Sequence, residues 1–331
     1  MSKKARITRA YCVQLGEVLS ITEARREFFS LPEPRRRFEF LCSNASCRDL
    51  PVKPEITAVN YDKHPNDTYR AAHYRANDNF SHAPDCEWMI DEEAKEVDGK
   101  LPGETAEDAL RRRAKRKLHD YIDTFDPNPQ QATDHTSTGS TAQGGDATNG
   151  HRRTGVDRGD NLSGSNRTSN LERLVECYRQ ARKELSDEEF KALTLQVQGL
   201  GKMPLSTYFK RITYGKLGAS NRVLYGGAGL IERYLGGGFR FRFIDKNDGK
   251  PVFLHVLSEQ MKNYRFRNYL DGLLRVEGAS YFSVFTLGEL ALSDTQKSIK
   301  LTVSDLKQLV VIPGFTQPSK ANAESAPAPE V

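Results

Sequence analysis

The stretch "FLCSNASC", Phe40 to Cys47, decides how the N-terminal part of this chain is read. It puts four residues between Cys42 and Cys47. Downstream, "HAPDC" puts three between His82 and Cys86. Both spacings fall among those of structural zinc sites, where each pair sits on a tight turn and two turns meet at one ion. Ser and Asn in the first stretch can fold their side chains back onto the backbone, and Pro84 pre-sets a turn in the second. Zn²⁺ favours thiolate and imidazole in a tetrahedron, so Cys42, Cys47, His82 and Cys86 form a sufficient set. Four protein ligands leave no open position for water, so the expected site is structural rather than catalytic. His73, in "AAHYRANDNFSH", is the alternative ligand, in place of one Cys or as support behind the ligands. A disulfide and a chance spacing are the competing explanations. Cys12 and Cys177 have no such neighbours and read as ordinary semi-buried thiols.

The chain around this site has 331 residues, enough for two ordinary domains and a linker. No apolar run is long enough to span a membrane. The start, "MSKKARITRAYCVQLG", is basic but lacks an apolar signal core, so a cytoplasmic location with reduced thiols is expected. The net charge of +5 is unevenly spread. Residues 1–126 hold 22 Lys/Arg against 23 Asp/Glu, and residues 171–331 hold 23 against 17. The positive excess therefore lies in the C-terminal half, which permits nucleic-acid binding without requiring it.

Residues 127–170 contain almost no large apolar side chain and no helical or strand period, and read as a disordered linker. Residues 316–331 read as a disordered tail. Ahead of the linker, Thr105 and Asp108 mark a helix start, and Ala106, Leu110, Ala114, Leu118 and Tyr121 recur at helical spacing. Its bases, "RRRAKRK", include Arg111, Arg112 and Arg113. They are read either as a solvated basic face or as phosphate contacts.

After the linker, "SNLERLVECYRQARKEL" and "SDEEFKALTLQVQGL" read as helices, and "PLSTYFKRI" as a short third one. From about residue 220, Gly-punctuated alternating segments predict the short strands of an antiparallel sheet or small barrel. "FRFRF", Phe239 to Phe243, would turn its phenylalanines to one side and Arg240 and Arg242 to the other. "NYRFRNY" interleaves Tyr264, Arg265, Phe266, Arg267 and Tyr269. Arginines for phosphates and rings for bases are the chemistry of single-strand binding on small barrels. A sheet with Phe in the core and Arg in water accounts for "FRFRF" equally well.

No catalytic constellation stands out. "LYGGAGL" lacks the ending of a phosphate-binding loop. Asp245, Asp248 and Lys250 lie in "IDKNDGK", where hairpin-turn chemistry explains them. "EVDGK", Glu96 to Lys100, holds acids and a Lys without strand context.

Residues from about 7 to 90 resemble the N-terminal, zinc-binding part of CoiA-like competence proteins. The resemblance rests on an opening strand pair leading to "VLSITEARR", the Cys pair of "FEFLCSNASC", the "HYR" step at His73 to Arg75, and "HAPDC". It implies a setting in DNA uptake, mobile elements or defence. The nuclease core that some members carry, a carboxylate pair followed by Lys, is not found here.

The expected fold class is α+β. A small N-terminal zinc-binding domain (1–126) ends in a basic helix. The disordered linker follows, then a domain (171–315) of helices plus an antiparallel sheet, for which an OB-like form fits. The expected function is a non-catalytic, zinc-stabilised nucleic-acid-binding or adaptor protein. The alternatives are a metal-dependent nuclease relative with its active site unlocated, and a protein–protein scaffold. Nucleic acid or a protein partner is expected, and no membrane.

Overall fold

A computed structural model describes residues 7–65, 72–86, 88, 103–118, 121–128 and 167–315. Most of the expected linker, the tail and "EVDGK" lie outside the described residues.

The chain opens with a hairpin, β1 (Arg9–Cys12) and β2 (Glu17–Ser20). Ser20 then caps α1 (Ile21–Ser30) in a reciprocal box with Glu23, satisfying backbone N–H groups at the helix start. β3 (Phe40–Cys42) pairs with β1. A single turn of helix, α2 (Ala45–Arg48), follows, and β4 (Ile56–Val59) pairs with β5 (His73–Ala76). Phe28, Phe29, Phe40, Tyr61 and Tyr74 fill this module's core.

Thr105 caps α3 (Ala106–Lys117), as its spacing predicts. The short strands β6 (Thr124–Phe125) and β7 (Arg167–Thr168) pair in parallel. Thr168 is fully buried, and Asn170 caps α4 (Leu171–Glu184). The ends of the expected linker are thus structured: 167–170 supply β7 and the α4 cap, and Pro127 O and Asn128 Oδ1 accept from Gln308 Nε2 at 3.3 and 3.1 Å. α5 (Asp187–Ala192) has the expected Ser186–Glu189 capping box. It stops at Ala192, and Thr194–Val197 forms β8, paired with β9 (Gly201–Pro204). β-branched Thr194 and Val197 and a run that alternates in burial favour the strand over continued helix. α6 (Leu205–Tyr208) is a single turn that leads into β10 (Phe209–Arg211).

The remaining strands are β11 (Gly218–Ala219), β12 (Val223–Arg233), β13 (Phe239–Phe243), β14 (Val252–Val256), β15 (Tyr281–Thr286), β16 (Glu289–Leu292), β17 (Ile299–Thr302) and β18 (Leu309–Gly314). With β10 they form one nine-stranded sheet in the order β11-β16-β17-β14-β13-β12-β15-β18, with β10 beside β12. It is mostly antiparallel, but β10/β12 and β14/β17 run parallel. This corrects the OB-like expectation. The sheet has nine strands rather than about five, and its described path does not close. Between β14 and β15 lie α7 (Ser258–Asn263) and α8 (Arg267–Leu274).

Two of the hydrophobic cores join the chain's two halves, and a third lies within the C-terminal half. Phe239, Phe241, Phe243, Leu254 and Val284 pack on one face of the large sheet. Part of the other face is covered by a core that joins Ala114, Leu118, Tyr121 and Phe125 to Leu174, Tyr178, Phe209 and Phe285. The boundary expected at residue 126 therefore runs through a shared core. The N-terminal core is likewise completed by Tyr269 and Leu273 of α8.

A buried ionic cluster joins the halves as well. The Arg26 Nε donates to Glu172 Oε2 at 2.6 Å, and the Tyr269 hydroxyl donates to Glu172 Oε1 at 2.6 Å. The Arg25 Nη1 donates to Glu176 Oε1 at 2.6 Å. Burial works against the charge of Arg25, and the carboxylates of Glu176 and Glu172 outweigh it to hold the guanidinium protonated.

Candidate metal centre

β3 ends at Cys42, whose N–H donates to the Pro54 carbonyl at 2.9 Å. The chain then turns. Asn44 caps α2 by accepting from Ser46 N at 2.9 Å, which brings Cys47 back under Cys42. The second turn is tighter: Cys86 N donates to Ala83 O at 3.0 Å, across Pro84. The local residue choices set both turns, as their Ser, Asn and Pro content predicts.

The two turns converge. The ligand atoms of Cys42, Cys47, His82 and Cys86 all lie within 4.8 Å of one another. Cys42 Sγ to Cys86 Sγ is 3.7 Å, Cys47 Sγ to His82 Nδ1 is 3.6 Å, and Cys86 Sγ to His82 Nδ1 is 3.4 Å. None of the chain's five cysteines is in a disulfide. The four donors are compatible with one metal ion. His73 is not part of the cluster. It sits buried on β5, opposite Val59. Cys12 and Cys177 are fully buried rather than semi-buried.

The surroundings tie the two turns together. Ser46 Oγ donates to Asp85 Oδ2 at 2.7 Å, and Trp88 Nε1 donates to Ser43 Oγ at 2.8 Å. Ala83 N donates to Cys47 Sγ at 3.2 Å, a bond that stabilises a thiolate. Arg48 reaches the carbonyls of Cys42 and Ser43 and lies 4.5 Å over the Tyr11 ring. Burial pushes the Cys42 thiol up, and the Cys86 thiol up to about 11, while it pushes the His82 imidazole down. Without a cation, desolvation favours the neutral form of all three. A bound dication reverses that preference for the thiols.

The basic residues singled out in the sequence divide in two. Arg111 is engaged by Asp108 at 2.7 Å, Glu107 at 3.1 Å and the Ala192 carbonyl at 2.9 Å. Arg112 is gripped by both oxygens of Glu104, at 2.9 and 3.0 Å. Arg113 is exposed. "NYRFRNY" spans the end of α7, a three-residue turn (264–266) and the first residues of α8. Tyr264 and Phe266 pack edge to face, Arg26 lies 5.5 Å over Phe266, and Arg265 pairs with Glu27. Arg267 is exposed and reaches only the Lys262 carbonyl, at 3.4 Å. On β13, Arg240 and Arg242 do face away from the buried phenylalanines, as the alternation predicts.

Among the described residues, no second group of three or more His, Cys, Asp or Glu converges. Asn247 and Lys250 exchange both backbone hydrogen bonds, and Asp248 and Gly249 have φ of +48° and +70°. That is a two-residue primed turn, which Asp-Gly favours. Asp245 faces Arg211 at 3.5 Å and Asp248 faces Lys250 at 3.7 Å. The double change Asp245→Ala, Asp248→Ala is therefore expected to lower stability by about 1–2 kcal/mol, mostly from alanine at the positive φ of position 248, read from a denaturant midpoint.

No family model, curated protein or solved structure matches this chain. No helix among the described residues is long and apolar enough to cross a membrane.

Proposed function

We propose that the chain is a non-catalytic nucleic-acid-binding protein whose N-terminal module is held by one structural Zn²⁺ on Cys42, Cys47, His82 and Cys86. The edge lengths carry the zinc reading. Bonds of about 2.3 Å to sulfur and about 2.0–2.1 Å to nitrogen in a tetrahedron give edges of about 3.8 Å between sulfurs and about 3.5 Å from sulfur to nitrogen. Three of the six separations, 3.7, 3.6 and 3.4 Å, match those edges, and all six lie within 4.8 Å. Three thiolates and an imidazole suit zinc over Mg²⁺ or Ca²⁺, which prefer oxygen. With all four positions taken by protein, the ion orients the two turns and presents no site for an activated water. The nucleic-acid reading is supported by the C-terminal positive excess and by arginines displayed on a sheet. The resemblance to CoiA-like proteins would place this binding in DNA uptake, mobile elements or defence.

Gel shifts on single- and double-stranded oligonucleotides, with and without Mg²⁺, test the reading. Retarded complexes with intact oligonucleotides in both conditions are expected. Cleavage that requires Mg²⁺ would overturn the non-catalytic part, and absence of any complex at low salt would overturn the binding part.

A further inference from the structure

The nine-stranded sheet is covered unequally. One face is filled along its middle strands by the phenylalanines of β13 and their neighbours. Among the described residues, the opposite face is covered only towards β15 and β18, where Tyr178 of α4 packs with Phe209, Tyr225 and Phe285. Beyond that cover, the same face displays Arg240 and Arg242 of β13, Phe253 and His255 of β14, and Lys300 of β17. Their registers bring them together. Arg240 is opposite His255, Arg242 is opposite Phe253, and Phe253 is beside Lys300. Adjacent strands are about 4.8 Å apart, so three neighbouring strands gather these basic groups within about 10 Å.

These cations differ from the others in lacking counter-charges. Among the described residues, none of Arg240, Arg242, His255 and Lys300 makes an ion pair, whereas Arg111, Arg112 and Arg265 are all paired with carboxylates. The acid nearest by register is Glu232, opposite Arg240, and its carboxylate accepts from the Tyr234 hydroxyl at 3.1 Å. The Arg240 guanidinium is held 4.3 Å over the Phe253 ring, with its Nε buried and without a hydrogen-bond partner. Burial first, then the charges of Arg240 and Lys300, push the His255 imidazole down, partly offset by Glu232.

The backbone is open there as well. Opposite Arg242 on β12 stands Gly229, where a β-carbon would meet nothing within 4 Å. Gly229 immediately precedes the register shift between Leu230 and Glu232, so a bulge accounts for a glycine here, and the space beside it leaves the row of arginines accessible.

We propose that this uncovered sheet face binds the sugar–phosphate backbone of single-stranded nucleic acid, with Arg240, Arg242 and Lys300 on phosphates and the Arg240–Phe253 pair as a stacking plane. The proposal rests on the nucleic-acid reading above and gives it a place. A flat sheet face with arginines and a ring suits splayed bases, and it offers no protruding helix to enter a duplex groove. An acidic protein segment would satisfy the cations but would leave the stacking plane and the glycine opening unused.

The test is fluorescence anisotropy of the full chain with a labelled oligothymidylate over a range of KCl. Three or four phosphate contacts on a single strand give a slope of about −2 to −3 for log affinity against log salt. The variant Arg242→Ala, Lys300→Ala removes two exposed, unpaired side chains, and an unchanged melting temperature confirms its fold. It is expected to bind at least about 10-fold more weakly, with a slope shallower by about 1.4. The variant Arg111→Ala, Arg112→Ala is expected to bind as the parent does. If the parent binds the oligonucleotide and the Arg242, Lys300 variant binds equally well, this site is overturned while the nucleic-acid reading stands. If the parent ignores oligothymidylate but binds polyglutamate in a manner lost in the variant, the face takes acidic protein and the nucleic-acid reading fails. Binding to neither probe overturns both.

Discussion

Cys47→Ser is expected to strip the N-terminal module of its metal. The parent should carry about one equivalent of zinc, and the variant well under half. Serine cannot replace the thiolate, and Cys42 and Cys86 stay buried, with His82 half-buried, without the cation that compensates their desolvation. Structural zinc in small modules contributes apparent binding energies of about 10–16 kcal/mol, so the local loss is large. The chain contains a single tryptophan, Trp88, whose indole donates to Ser43 in the turn after Cys42. Its fluorescence therefore reports on the site. A changed emission in Cys47→Ser, matched by a chelator added to the parent, is the expected pattern. Cys12→Ser is the control. Cys12 is equally buried but lies outside the cluster, so the variant should keep its zinc. Retention of a full equivalent by Cys47→Ser would falsify the ligand assignment. Acid should act like the chelator, because protons compete with the metal for three thiolates and an imidazole.

The second large effect is expected at Glu172, whose removal leaves charge stranded in the interior. Glu172 is 3% exposed and accepts from both Arg26 and Tyr269. Arg25 and Arg26 are 2% and 6% exposed. Glu172→Ala leaves Arg26 buried and uncompensated, which costs about 3–5 kcal/mol. Arg25 keeps Glu176 and should be less affected. Since the cluster joins α1 to α4 and α8, the loss should separate the two halves as well as destabilise them. After limited proteolysis, the fragments of Glu172→Ala are expected to separate on gel filtration, while those of the parent stay associated. A smaller loss in Arg26→Met, Glu172→Met than in Glu172→Ala would show that stranded charge, rather than a lost attraction, is responsible. Equal stability of parent and Glu172→Ala would refute the role of the cluster.

What could be read in the sequence was local. The Cys42/Cys47 and His82/Cys86 turns are each set within a few residues, so their spacing announced them despite the 34 residues between. The alternation of "FRFRF" and the caps at Thr105 and Ser186 were legible for the same reason. Non-local pairing was not. Arg265 meets Glu27 across 238 positions, and Arg26 meets Glu172 across 146. No window of sequence holds both partners. The adjacent Arg25 and Arg26 in "EARREFF" were a missed signal, since arginines between apolar residues on a short helix ask for buried counter-charges. His255, Phe253 and Lys300 could not be grouped with Arg240 from sequence either, because sheet order brings them together. In contrast, the acids three and four residues before Arg111 were in plain view and argued for an internally paired helix.

Tyr269 and Leu273 finish the N-terminal core from nearly 200 residues downstream, and this sets an order of events on the ribosome. At about 5–20 residues per second, the first 90 residues wait on the order of 10–40 s for α8 to be synthesised. During that interval Phe28, Phe29 and Phe40 lack part of their cover. The metal turns need no such delay, because Cys42 and Cys86 emerge within 44 positions of each other. An ion captured early would clip the nascent segment and hold its aromatic residues together until the rest of the chain arrives.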